Sequence, residues 1–189
     1  MLRFAAFLTA ALLSAPLWAM HCPADMAKID AMLQSNPPSD AAVLAHLPAD
    51  ETAVLQSGQR LSLPGPMVWH AWGPVDGPVV VLLHGGSGSR THWIRTIAPL
   101  VLQGVRVLAI DLPGFGDSAA PEQGGDVDAL IEPLHKAWAL LKPQHAPSTF
   151  VGFSFGGMTA ALWLAAYPQD AEQLVMVGTP GLGLTVPDR

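Results

Sequence analysis

Ser154 stands in Gly152-Phe153-Ser154-Phe155-Gly156, a G-x-S-x-G pattern followed by a further glycine, Gly157. Ser148-Thr149-Phe150-Val151 leads into it as a short buried strand, and Met158, Ala161, Leu162 and Ala165 recur behind it at helical spacing. A strand that becomes a helix within so few residues must turn sharply. The residue at the apex is forced into a strained conformation, tolerated where its neighbours lack a Cβ. Such a turn lifts the serine oxygen clear of the sheet and sets it at a helix N-terminus, whose N–H groups favour developing negative charge. The chemistry this equips is nucleophilic attack on an acyl carbonyl. The competing reading is a glycine-rich turn whose serine only caps the helix. The strand before, the helix after and Gly157 favour the nucleophile.

A second loop can face that serine. Leu83-His84-Gly85-Gly86-Ser87-Gly88-Ser89 leaves the end of a buried strand, where open α/β sheets place their ligands. The N–H of Gly86, joined by that of Phe155, is the expected oxyanion hole, with His84 and Gly85 as the supporting loop. Removing one donor from such a hole costs ~10²–10³ in rate. Nucleotide binding, the rival for a glycine-rich turn after a strand, fails in detail. Gly86-Ser87-Gly88 lacks the third glycine of G-x-G-x-x-G, and no G-x-x-x-x-G-K-[ST] occurs. His84 is read as a structural residue bonded to the backbone rather than a base or a metal ligand. His92, His135 and His145 read as surface or helix-end residues. No histidine pair has zinc-ligand spacing, and no metal or organic cofactor is expected.

The elements that must position these residues follow from the apolar pattern. Thr52–Gln59 and Met67–Trp72 read as two strands around Leu63-Pro64-Gly65-Pro66. Val79–Leu83 is a continuous apolar strand of the kind buried on both faces of a parallel sheet, and Arg106–Ile110 is a second. Ile94, Ile97, Ala98 and Val101 mark one helix, with Pro99 inside it. Val127, Leu130, Ile131, Leu134, Trp138 and Leu141 mark another, which contains Pro133. A last strand spans Leu174–Val177. The alternation predicts an α/β fold with a mostly parallel sheet and helices on both faces. Ala24–Leu33 and Asp40–Leu47 read as short helices of an N-terminal extension over residues 20–50, ahead of a domain over 51–189.

Three motifs now stand in order, each just after a predicted strand: His84-Gly85-Gly86, Asp111-Leu112-Pro113-Gly114-Phe115-Gly116-Asp117-Ser118, and Gly152 to Gly157. Together they resemble the α/β-hydrolase superfamily in its single-domain esterase, lipase and lactonase branch, over roughly Glu51 to Pro180. The resemblance implies an α/β-hydrolase fold and a serine hydrolase acting on a small acyl substrate: a carboxylic ester, a thioester or a lactone. Asp111 and Asp117 are read as turn-forming scaffold rather than as the catalytic acid.

In the resembling family the order is Ser, then Asp or Glu, then His, and no histidine follows Ser154. Asp170 and Glu172 precede the last strand, at the wrong end for a site at strand C-termini. Asp188 could serve only in a variant arrangement. Leu174–Val177 is fully apolar and reads as an interior strand awaiting neighbours. The expectation is therefore that the C-terminal third, with the acid and the histidine, lies beyond these residues. The alternative is a catalytically inactive hydrolase-like chain that binds a ligand or partner. Phe153, Phe155 and Trp93 hint at an apolar pocket, though such aromatics are more often core.

The 189 residues suffice for one domain. Half are hydrophobic and 13% are charged, against roughly 25% in ordinary soluble domains. A net charge of −6 with nine Lys and Arg leaves no basic surface for phosphate backbones, so nucleic acid is not an expected partner. Cys22 is the only cysteine, which excludes an internal disulfide. Residues 4–19 form an uncharged apolar run behind Arg3, short of the ~20 needed to span a bilayer. They read as a signal peptide over residues 1–19, implying export and no stable membrane span after processing. The competing reading is a cytoplasmic protein begun at Met20, Met26 or Met32. Oligomeric state is left open.

Overall fold

Val79-Val80-Val81-Leu82-Leu83 turns alternate side chains toward two separate cores, and the sheet is built outward from it. The computed structural model describes residues 48–65, 67–120, 126–142 and 147–180. The expected signal peptide, Cys22, the two N-terminal helices, His145 and Asp188 lie outside the described residues. In chain order the elements are α1 (Ala49–Gln56), β1 (Gln59–Leu61), β2 (Val68–Trp72), β3 (Val79–Leu83), a 3-10 turn (Arg90–Trp93) running into α2 (Ile94–Leu102), β4 (Arg106–Asp111), α3 (Asp128–Leu141), β5 (Ser148–Phe153), α4 (Phe155–Ala166), a short 3-10 turn (Pro168–Asp170) and β6 (Gln173–Val177).

The six strands form one sheet in the order β1-β2-β4-β3-β5-β6. β3 pairs in parallel with both β4 and β5, and β5 in parallel with β6; β2 runs antiparallel to β4 and to β1. The expected mostly parallel α/β sheet is thus present, with an antiparallel flank. One face carries Trp69, Val81, Leu83, Ile110 and Phe150 beneath α3 and α4, whose Leu134, Trp138, Ala160 and Trp163 complete that core. The other carries Trp72, Leu82, Val107 and Ala109 against Leu55 of α1 and Ile94 and Ile97 of α2. Burying each Leu, Ile or Phe of this kind contributes about 1.5–3 kcal/mol.

One expectation is corrected. Thr52–Gln59 is not a strand: α1 occupies Ala49–Gln56, and only Gln59–Leu61 is extended. Thr52 and Val54 supplied the strand signal, but Asp50 and Glu51 in the first turn favour a helix start. The tertiary contact is decisive, since Leu55 is buried and the Trp72 indole N–H donates to the Val54 carbonyl at 2.8 Å. α1 also crosses the expected boundary between residues 20–50 and 51–189. The helix expected behind Ser154 is present as α4; its buried residues are Gly156, Gly157, Thr159, Ala160 and Trp163, while Met158, Ala161 and Leu162 are half-buried and Ala165 is exposed. That helix is apolar nearly all round, so periodicity does not select a face, and small residues decide which side can approach the sheet. β6 lies at an edge of the sheet, with Val175, Met176 and Val177 exposed.

Candidate active site

Ser154 links β5 to α4 with φ 50° and ψ −115°, a left-handed backbone that a residue with a side chain rarely adopts. Close packing explains the flanking glycines. A Cβ on Gly156 would fall 2.2 Å from the Leu83 carbonyl oxygen, and one on Gly152 would fall 2.5 Å from that of Gly156. The Ser154 N–H donates to the Val177 carbonyl at 2.8 Å, and the Ser154 carbonyl accepts from the N–H of Gly157 at 3.0 Å. The serine side chain is partly exposed beside the first turn of α4.

β3 ends at Leu83, and His84 follows, fully buried. Its Nε2 accepts the Leu112 N–H at 2.9 Å, which leaves the ring proton on Nδ1 to donate to the Gly85 carbonyl at 2.7 Å. That bonding requires a neutral ring. Burial pushes His84 down to about 4, the Gly85 carbonyl opposes the shift, and His92 adds a smaller lowering. A trans peptide points its C=O and N–H in opposite directions. Fixing the Gly85 oxygen inward on His84 therefore turns the Gly86 N–H outward. A Cβ on Gly86 would lie 3.9 Å from the Phe155 Cβ, so the loop and the start of α4 are neighbours. Among the described residues, no protein acceptor takes the N–H of Gly86 or of Phe155.

The Asp111 to Ser118 segment braces this end of the sheet. Asp111 accepts the Arg90 N–H at 2.7 Å and the Arg90 guanidinium at 2.5 Å; Arg90 also reaches Asp117 at 3.2 Å. The Ser118 hydroxyl donates to the Asp111 carbonyl at 2.5 Å and accepts the Val68 N–H at 2.8 Å. Both aspartates are committed to holding loops together. Arg90, which joins the Gly85–Ser89 loop to β4, escapes a reading of the sequence because its partner lies 21 positions away with no pattern linking them.

Asp170 and Glu172 sit at the far end. Asp170 is buried and accepts His135 Nδ1–H at 2.6 Å and the Trp163 indole N–H at 2.8 Å; its carbonyl accepts from Ser148, the first residue of β5. Ser154 follows the last residue of the same strand, roughly 20 Å away. His135 stacks on Tyr167, with ring centroids 3.7 Å apart. Glu172 accepts from the Ser148 N–H and, at 3.0 Å, from its hydroxyl; these bonds hold its carboxyl below the usual range. Trp93 is buried in the α2-side core, whereas Phe153 is exposed and Phe155 partly buried beside Ser154. Among the described residues, no acid or histidine hydrogen-bonds the Ser154 hydroxyl, and no group of three His, Cys, Asp or Glu could hold a metal. No helix of the described residues is long and apolar enough to cross a membrane.

A family model described as "alpha/beta hydrolase fold" matches residues 78–188. The chain belongs to the α/β-hydrolase fold family. Within it, the chain is 32% identical over 162 residues to the dihydrolipoyllysine-residue acetyltransferase component of the acetoin cleaving system of Pseudomonas putida, covering 85% of this chain and 42% of that protein. It is 34% identical over 115 residues to 2-hydroxy-6-oxo-6-phenylhexa-2,4-dienoate hydrolase of Comamonas testosteroni, covering 57% of this chain and 38% of that enzyme. Among solved structures, the thioesterase domain of the curacin biosynthetic pathway superposes with a TM-score of 0.57 at 28% identity, over 64% of this chain and 45% of that one. This α/β-hydrolase chain therefore spans less than half the length of these relatives.

Proposed function

We propose that this α/β hydrolase forms an acyl-enzyme at Ser154 and hydrolyses a carboxylic ester, thioester or lactone. The observation that carries the reading is the backbone of Ser154, φ 50° at a strand-to-helix turn, beside two N–H groups without protein acceptors among the described residues. The Ser154 oxygen attacks the acyl carbon, and the carbonyl oxygen, becoming an oxyanion, takes hydrogen bonds from Gly86 and Phe155. The bond to the alcohol or thiol then breaks, and water attacks the acyl-enzyme to release the acid. The likeness to a dienoate hydrolase and to a thioesterase domain supports hydrolytic acyl chemistry on a small molecule. His84 serves as the brace of the Gly85–Gly86 peptide.

A serine hydroxyl needs a base within reach, itself oriented by a carboxylate. In this reading both come from residues outside the described segments. The second reading, a ligand-binding hydrolase-like chain, is favoured by one observation: among the described residues no acid or histidine hydrogen-bonds the Ser154 hydroxyl. A fluorophosphonate probe separates the two. Stoichiometric labelling of Ser154, with hydrolysis of short p-nitrophenyl esters that disappears in Ser154→Ala, supports the acyl-enzyme. Equal hydrolysis by both proteins eliminates Ser154, and a folded protein left unlabelled favours the binding module.

A further inference from the structure

We propose that His92 is a second positioning residue of the oxyanion loop, gripping the Gly85 N–H while His84 grips the Gly85 carbonyl. The inference rests on the acyl-transfer reading of Ser154. His92 Nδ1 faces the Gly85 N–H at 3.4 Å, and His84 Nδ1 lies 2.7 Å from the Gly85 oxygen. The first contact orients the peptide before Gly85; the second orients the peptide after it, the one that carries the Gly86 N–H. Gly85 has the widest backbone freedom of any residue type. Both of the dihedrals that could spoil the hole are held by imidazoles.

The His92 ring is seated by its surroundings. It meets the edge of Phe153, the residue before Ser154, with centroids 5.8 Å apart, and that of His84 at 6.1 Å. A Cβ on Gly88 would fall 2.1 Å from His92 Cε1, so the ring fills space that only glycine leaves open. Accepting through Nδ1 requires a neutral ring with its proton on Nε2. His92 is open to solvent on one side, and the partial desolvation of its ring by the packed neighbours favours that state by lowering its pKa. Among the described residues the titratable neighbour facing it is His84; Arg90, two positions earlier, is turned to Asp111 and Asp117. Protonation would set one N–H against another and release Gly85.

The test uses the intact protein. In ¹⁵N NMR, the Gly85 amide should shift with the titration of His92 and lose that response in His92→Phe, which keeps the ring but not the acceptor. Ester hydrolysis by His92→Phe should fall about 10-fold in kcat with KM little changed, as for a slightly misplaced donor. The part of its pH dependence that follows the titration of His92 should also disappear. His92→Gln, whose side-chain carbonyl can accept, should recover most of kcat without the pH response. A Gly85 amide indifferent to pH, or His92→Phe with native rates and pH profile beside an inactive Ser154→Ala, overturns this inference alone. Ser154→Ala at native rates overturns the acyl-transfer reading and this inference with it.

Discussion

Arg90 is bound to Asp111 twice, through its backbone N–H at 2.7 Å and through its guanidinium at 2.5 Å, so one carboxylate fixes both the course of the loop and the side chain that leaves it. Both groups are buried. Removing one partner of such a pair leaves an uncompensated charge and costs about 3–5 kcal/mol. Asp111→Ala should lower stability by that amount in urea unfolding, with Asp117 retaining part of the guanidinium's bonding.

Gly156→Ala should damage the site through the backbone. Its Cβ would press on the Leu83 and His84 carbonyl oxygens, at 2.2 and 2.4 Å. Neither can retreat, since Leu83 ends the central strand and the fully buried His84 follows it. A stability loss of ~1–3 kcal/mol is expected. Fluorophosphonate labelling of the remaining folded protein should fall, because α4 must move away from the loop that carries Gly86.

Acid should destabilise the fold between pH 6.5 and 4. His70 and His84 are both pushed down to about 4. For His70 burial comes first and the Arg90 charge second. The unfolded chain then binds more protons in that window, so stability falls as pH drops through it. Each shift corresponds to at most ~3 kcal/mol. His70 Nδ1 is buried with no hydrogen-bond partner among the described residues. His70→Phe should therefore be close to neutral at pH 7 and should reduce the loss seen at pH 4.5, compared by urea unfolding at the two pH values.

Asp170→Ala separates stability from chemistry. It leaves the buried Trp163 indole N–H without its acceptor and removes the partner of His135. A cost of ~1–3 kcal/mol is expected. Lying the length of β5 from Ser154, the change should leave the labelling rate of folded protein unaltered, measured well below the unfolding transition.

The parts of the fold legible in the sequence were those with one dominant physical cause. Val79–Leu83 reads as a buried strand because nothing but a two-faced interior position suits five apolar residues in a row. The turn at Ser154 reads as strained because glycines surround it. Where several causes compete, local pattern fails. Thr52 and Val54 favour a strand by type, yet the indole of Trp72 binds the Val54 carbonyl as part of a helix. α4 offers apolar residues on every side, so its buried face is chosen by backbone approach at Gly156 and Gly157. The joining of Arg90 to Asp111, and of His92 to Gly85, depends on how chain segments meet, which no spacing rule encodes.

The N–H of Ser154 is tied to the carbonyl of Val177, the last residue of β6. The most contorted backbone in the candidate site is thus restrained by the strand with the greatest solvent exposure. Segments with little burial open first in native-state fluctuations. Each fraying of the β6 terminus would free the Ser154 amide and let its φ relax toward negative values. A neighbouring strand paired to the outer edge of β6 would then hold the serine ready, and slow amide hydrogen exchange at Ser154 would mark a chain held in working order.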